Sequence, residues 1–120
     1  MLFICYPKCA TCQKAKKWLD KHNIEYTERR IVDANPTYDE LKEWHGKSGL
    51  PLKKFFNTSG LLYKEIQLKD KIPTMSEEEQ LQLLATNGML VKRPLVVNSN
   101  IVVVGFKKAE WNEKLNGHIE

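Results

Sequence analysis

Leu2-Phe3-Ile4-Cys5-Tyr6-Pro7-Lys8-Cys9-Ala10-Thr11-Cys12 is the stretch that decides how this chain folds. Leu2 to Tyr6 is an apolar run of strand length, of the kind buried on both faces of a parallel or mixed sheet. Beyond Cys12, Ala15, Trp18, Leu19 and His22 recur at helical spacing, while Lys14, Lys16, Lys17 and Lys21 fill the other face. A strand therefore runs into a C-x-x-C turn, and a helix leaves it. Cys9 is expected where that helix begins, with unpaired backbone N–H groups and the positive end of the helix dipole facing its sulfur. Both favour the thiolate, which is the nucleophilic form of cysteine. Lys8 and Lys14 add positive charge nearby. Cys12, one turn further on, is placed to reach back to Cys9 and close a disulfide.

Working outward, Ile24 to Arg29 alternates as a second strand, and Asn35-Pro36 stops it. Thr37-Tyr38-Asp39-Glu40 is a T-x-x-E capping box opening a helix that carries Leu41 and Trp44. Gly46 and Gly49-Leu50-Pro51 punctuate the middle of the chain. Leu52 to Phe56 suggests a short helix, and Asn57 to Gly60 a turn. Ser76 to Glu79 is a second capping box, followed by Leu81, Leu84 and Ala85 and a stop at Asn87-Gly88. Leu95 to Val97 and Ile101 to Val104 form a hairpin around Asn98-Ser99-Asn100. Lys107 to Asn116 closes the chain as a helix with Trp111 and Leu115, ended by Asn116-Gly117. The order βαβ, helices, ββα predicts an α/β protein of thioredoxin-like fold. A central four-stranded mixed sheet is expected in a single domain over residues 1–120, with a helical subdomain inserted at about 37–88. The first strand should be interior, and Leu2, Ile4, Val96, Val97, Val102 and Val103 should be among the buried residues.

The chain has 120 residues, 42% hydrophobic and 28% charged, with a net charge of +4. That is enough for one respectable core. No apolar run approaches the roughly 18 residues of a membrane span, and no secretory signal is visible. Three cysteines bunched at positions 5, 9 and 12 are not a secreted disulfide framework, so a cytoplasmic location is expected. The lysine clusters read first as solvated helix faces and second as a surface for anions or an acidic partner. Nothing suggests direct nucleic-acid binding. His22, His45 and His118 are not at ligand spacing from the cysteines, so neither a metal nor a bound cofactor is expected. The C-x3-C-x2-C spacing of Cys5, Cys9 and Cys12 also occurs around clusters in radical enzymes, but those need a much larger barrel. Cys5, inside an apolar strand, reads as an inert buried thiol.

With Tyr6-Pro7-Lys8-Cys9-Ala10-Thr11-Cys12, Leu90-Val91-Lys92-Arg93-Pro94-Leu95 and Val104-Gly105-Phe106 placed, the chain resembles a known family. It is similar to the glutaredoxin-coupled arsenate reductases and the related Spx-type regulators that bind RNA polymerase, from Leu2 to about Trp111. The resemblance implies Cys9 as the nucleophile, Arg93 as an anion-binding arginine, and Pro94 as a cis-proline facing the cysteine loop. Lys8, Ala10, Thr11 and Pro94 are the expected substrate contacts. Cys12, or an external glutathione or glutaredoxin thiol, would resolve the adduct. Two departures stand out. Phe56-Asn57-Thr58-Ser59 and Gly105-Phe106-Lys107 lack the second and third arginines of the arsenate enzymes, and lysine does not reproduce their bidentate fork. Two functions follow. One is a thiol-dependent oxidoreductase acting on a small oxyanion or an oxidised thiol. The other is a redox-sensing regulator that switches between dithiol and disulfide and binds RNA polymerase.

Overall fold

A computed structural model describes residues 1–99 and 101–115, so Asn100 and the Asn116-Gly117 helix stop lie outside the described residues. The chain divides into two compact units: Met1–Arg30 with Arg93–Glu120, and Ile31–Lys92.

The first unit is built on a four-stranded sheet. Its strands are β1 (Leu2–Cys5), β2 (Thr27–Arg30), β3 (Leu95–Val97) and β4 (Val102–Val104), in the order β2-β1-β3-β4. β1 runs parallel to β2 and antiparallel to β3, which makes the sheet mixed and places the first strand inside it, as expected. The helices α1 (Ala10–Lys21) and α6 (Lys108–Lys114) supply Cys12, Ala15, Trp18, Leu19, Trp111 and Leu115 to one core cluster. Phe3, Cys5, Val96 and Val103 join that cluster from the sheet. Trp111 is fully buried and its Nε1 donates to the Gly105 carbonyl at 3.0 Å. A buried ring of that size contributes on the order of 3–5 kcal/mol.

Two details differ from the sequence reading, and the expected hairpin turn gains a specific tie. Leu2 and Val97, opposite one another at the end of the β1–β3 ladder, are only half-buried, whereas Ile4, Val96, Val102 and Val103 are buried. The second strand starts at Thr27, later than the alternation suggested, because Ile24 and Tyr26 pack on the core from the preceding loop. The hairpin turn is tied by Asn98, whose Oδ1 accepts from the Ile101 N–H at 2.9 Å.

The second unit is helical. Both capping boxes form: Thr37 opens α2 (Tyr38–Ser48) and Ser76 opens the α5 helix (Glu77–Thr86), each with its reciprocal glutamate. Leu41 and Trp44 of α2 and Leu81 and Leu84 of α5 are buried, and the two helices pack together. Between them lie α3 (Leu61–Glu65) and α4 (Leu68–Lys71), which the sequence reading missed, and Leu52–Phe55 forms a 3-10 turn. The far end is tied by a bridge between Phe56 and Val91, with Lys92 N–H donating to the Phe55 carbonyl at 2.7 Å. No helix among the described residues is long and apolar enough to cross a membrane.

Gly88, two residues past the end of α5, has no room for a side chain. A Cβ there would fall inside contact distance of the Ile31 carbonyl and 2.8 Å from Asn35 Oδ1. Gly46, inside α2, has nothing within 4 Å of its would-be Cβ. Urea unfolding of the two alanine variants should therefore give opposite signs. Gly46→Ala should stabilise by about 0.5–1 kcal/mol, and Gly88→Ala should destabilise by about 1–3 kcal/mol. Equal effects at the two sites would mean that the close approach at Gly88 is absent.

Candidate functional site

The turn between β1 and α1 is closed by the Cys9 N–H donating to the Tyr6 carbonyl at 2.9 Å. The Gln13 side chain also clips Pro7 from outside, at 3.0 Å. Cys9 is the N-cap residue of α1, in extended conformation, and no side-chain oxygen caps the helix. Burial pushes the Cys9 thiol up, but the opposing influences together leave it below its ordinary value of 9.0. Those influences are the Cys12 and Thr11 N–H groups at the helix start, the Cys12 thiol and the Arg93 side chain, each of which favours the thiolate.

Cys12 moves the opposite way. It is 3% exposed, and burial together with the neighbouring Cys9 charge pushes its thiol up to about 12, despite a hydrogen bond from the Tyr6 N–H to its sulfur at 3.4 Å. Cys9 is half-buried, so one cysteine of the pair is reachable and ionisable while the other is enclosed and protonated. Cys5 is buried, and burial raises its thiol as well.

Arg93 comes to the loop from the chain just before β3, across a cis Arg93–Pro94 peptide bond. Its guanidinium carbon lies 5.0 Å from the centroid of the Tyr6 ring, a cation–π distance. Its Nε and Nη1 are buried and have no hydrogen-bond partner among the described residues. Leaving charged donors unpaired costs free energy, so this guanidinium has unspent capacity for an anion beside the sulfur.

The structure thus brings together Cys9, Cys12, Thr11 and Arg93, with Pro94 next in the chain. Lys8 and Ala10, beside Cys9 in the chain, are both exposed. Sequence reasoning missed the Tyr6 ring, although an aromatic residue directly before P-x-C was a visible signal. It also missed a hollow of about 180 Å³ lined by Cys5, Tyr6, Cys12, Lys16, Glu28 and Arg30. The β1–β2 register sets Cys5 against Arg30 there.

Comparison with known proteins agrees with this geometry. A crystal structure of an ArsC family related protein from Bacteroides fragilis is 67% identical, with a TM-score of 0.91 over 93% of this chain and 94% of that one. A possible arsenate reductase from Streptococcus mutans is 44% identical, with a TM-score of 0.83 over 89% of this chain and 91% of that one. The regulatory protein MgsR of Bacillus subtilis is 32% identical over 110 residues, covering 92% of this chain and 86% of MgsR. Residues 5–114 match the model of the ArsC family, so the cysteine loop and the strand after the cis-proline both fall within it, and the chain belongs to that family.

Proposed function

We propose that this chain is a dithiol oxidoreductase in which Cys9 attacks a small oxyanion, arsenate being the reference substrate, or an oxidised thiol, and Cys12 resolves the adduct. The observation that carries the reading is the Arg93 side chain. It favours the Cys9 thiolate, and its buried Nε and Nη1 have no hydrogen-bond partner among the described residues. A guanidinium in that state suits an anion that gains charge as sulfur attacks it.

With arsenate, the Cys9 thiolate forms an S–As bond and one arsenate oxygen leaves as water. Cys12 sulfur then attacks Cys9 sulfur. The S–As bond breaks with its electron pair left on arsenic, giving arsenite, and the two cysteines become a disulfide. The Cys12 proton passes to the departing product oxygen. Two electrons move from the thiols to arsenic, and external thiols (two glutathione molecules, leaving as their disulfide, or the dithiol of a glutaredoxin) restore the pair. Once Cys9 is bonded to the substrate its negative charge is gone, and with it part of what holds Cys12 protonated. The absence of the second and third arginines of the arsenate enzymes argues for weak arsenate affinity.

The likeness to MgsR supports a second reading, in which the same dithiol–disulfide switch serves regulation through RNA polymerase. That reading has no use for unpaired Arg93 donors, which is why the enzyme comes first.

Three measurements test this. Peptide-resolved alkylation against pH should show Cys9 reacting through an inflection below 9.0 and Cys12 silent until far more alkaline solution, near 12; faster labelling of Cys12 at pH about 6 would reverse the assigned roles. Mild peroxide should leave one free thiol of three, that of Cys5, while Cys12→Ser should stop Cys9 at a mixed disulfide with glutathione. A main product containing Cys5 would count against the pair. Finally, arsenate-dependent NADPH consumption, coupled through glutathione and glutaredoxin, should fall about tenfold or more in Arg93→Lys, roughly 1.4 kcal/mol, with little change in Tm. Turnover at low arsenate that ignores this substitution would remove the anion site from Arg93. No turnover together with a redox-dependent polymerase complex would favour the regulator.

A further inference from the structure

One face of α1, running from Lys14 to its C-terminal end, carries a feature that the proposed thiol chemistry does not use. Lys14, Lys17 and Lys21 are exposed and spaced three and four residues apart, so they share one face of the helix. Lys108, the first residue of α6, converges on them, and with Trp18 and His22 they line an open cleft of about 630 Å³. The floor is held firmly. Trp18 stacks on His22 with ring centroids 4.0 Å apart and meets the edge of Trp111 at 5.3 Å, while His22 Nδ1 lies 2.8 Å from the Trp18 carbonyl. No carboxylate lines the cleft, and among the described residues none of the four lysines has an ion-pair partner. Lys16, on the neighbouring face of the same helix, is by contrast paired with Glu28 at 2.8 Å.

A lysine-rich helix face is ordinarily just solvated. Here, however, the fourth ammonium comes from a different helix and the hollow it completes has an aromatic floor. Four unpaired like charges around one hollow set up a local field that favours an anionic occupant. We infer that this cleft docks an acidic segment of a partner protein, its carboxylates on the lysine rim and an apolar side chain against the half-buried His22 ring that covers Trp18. Lys14 to Lys21 spans seven residues, about 10.5 Å along the axis, which matches carboxylates two turns apart on a helix laid alongside. Nucleic acid fits less well. The cleft has no arginine, and Trp18 is 6% exposed with one face taken by His22, so no open ring is offered for stacking a base. Trp18 is nine residues past Cys9, about 13.5 Å along α1, so the occupant would not be the oxyanion.

The test uses the whole isotope-labelled chain, titrated with a synthetic amphipathic helical peptide bearing Glu at i, i+3 and i+7 and a leucine anchor. Its Gln-substituted copy and a short single-stranded DNA serve as competing probes. The acidic peptide should shift the amides of Lys14 to His22 and of Lys108 to Asn112, and should dissociate at high salt. Binding should weaken about tenfold or more for the Gln copy and for the double variant Lys17→Glu/Lys21→Glu. That variant should keep the wild-type Tm and Cys9 alkylation rate. DNA binding as tight at the same residues would overturn the inference in favour of nucleic acid. Shifts elsewhere, indifference to the charge reversal, or no shift up to millimolar peptide would overturn it outright.

Discussion

α1 starts without a side-chain cap, and the Thr11 and Cys12 N–H groups left open by that omission favour a thiolate at Cys9. Elsewhere this chain caps helices by the ordinary means: Thr37 and Ser76 each accept from the backbone three residues on. Losing such a cap costs about 1 kcal/mol. At α1 the accepting group is sulfur, and it accepts well only as a thiolate. Helix capping and thiol activation are therefore one interaction. A thiol whose folded-state value lies below its unfolded one contributes stability that is present above the unfolded value of 9.0 and is lost as pH falls through the lowered value. The helix start and the nucleophile are weakened by the same proton.

The second cysteine takes its character from the same geometry. Cys12 is one turn into α1, on the face packed with Ala15, Trp18 and Leu19 in the core. Burial there keeps the proton on it, and the protonated Cys12 in turn favours the thiolate at Cys9. Two chemically identical side chains three residues apart are thus driven in opposite directions, the arrangement that separates an attacking group from a reserve one. Arg93 completes the pair from across the sheet, because β3 lies beside β1 and brings the chain before Leu95 to the cysteine loop.

Much of this was legible because it is local. The capping boxes, the strand–turn–helix at Cys9 and the hairpin each depend on residues a few positions apart. The order of the elements then implied the sheet. What was not legible depends on meetings over longer distances or on weak signals. α3 and α4 have five and four residues and no side-chain cap, and they are separated by Gln67 in the left-handed region at φ 54. Nothing in Leu61 to Lys71 announces helices that short. The Tyr6 ring near Arg93 joins residues far apart in the chain.

The contact between the Tyr6 N–H and the Cys12 sulfur ties the chemistry to the sheet. Tyr6 directly follows the central strand, and its amide proton rests on a sulfur atom rather than on a neighbouring carbonyl. If Cys12 turns toward Cys9 to form a disulfide, that amide loses its acceptor or keeps a poorer one. Its exchange with solvent deuterium and its nitrogen frequency then record how many electrons the loop holds. A single backbone position inside the fold is thereby a native spectroscopic reporter of the loop, readable without attaching anything to either cysteine.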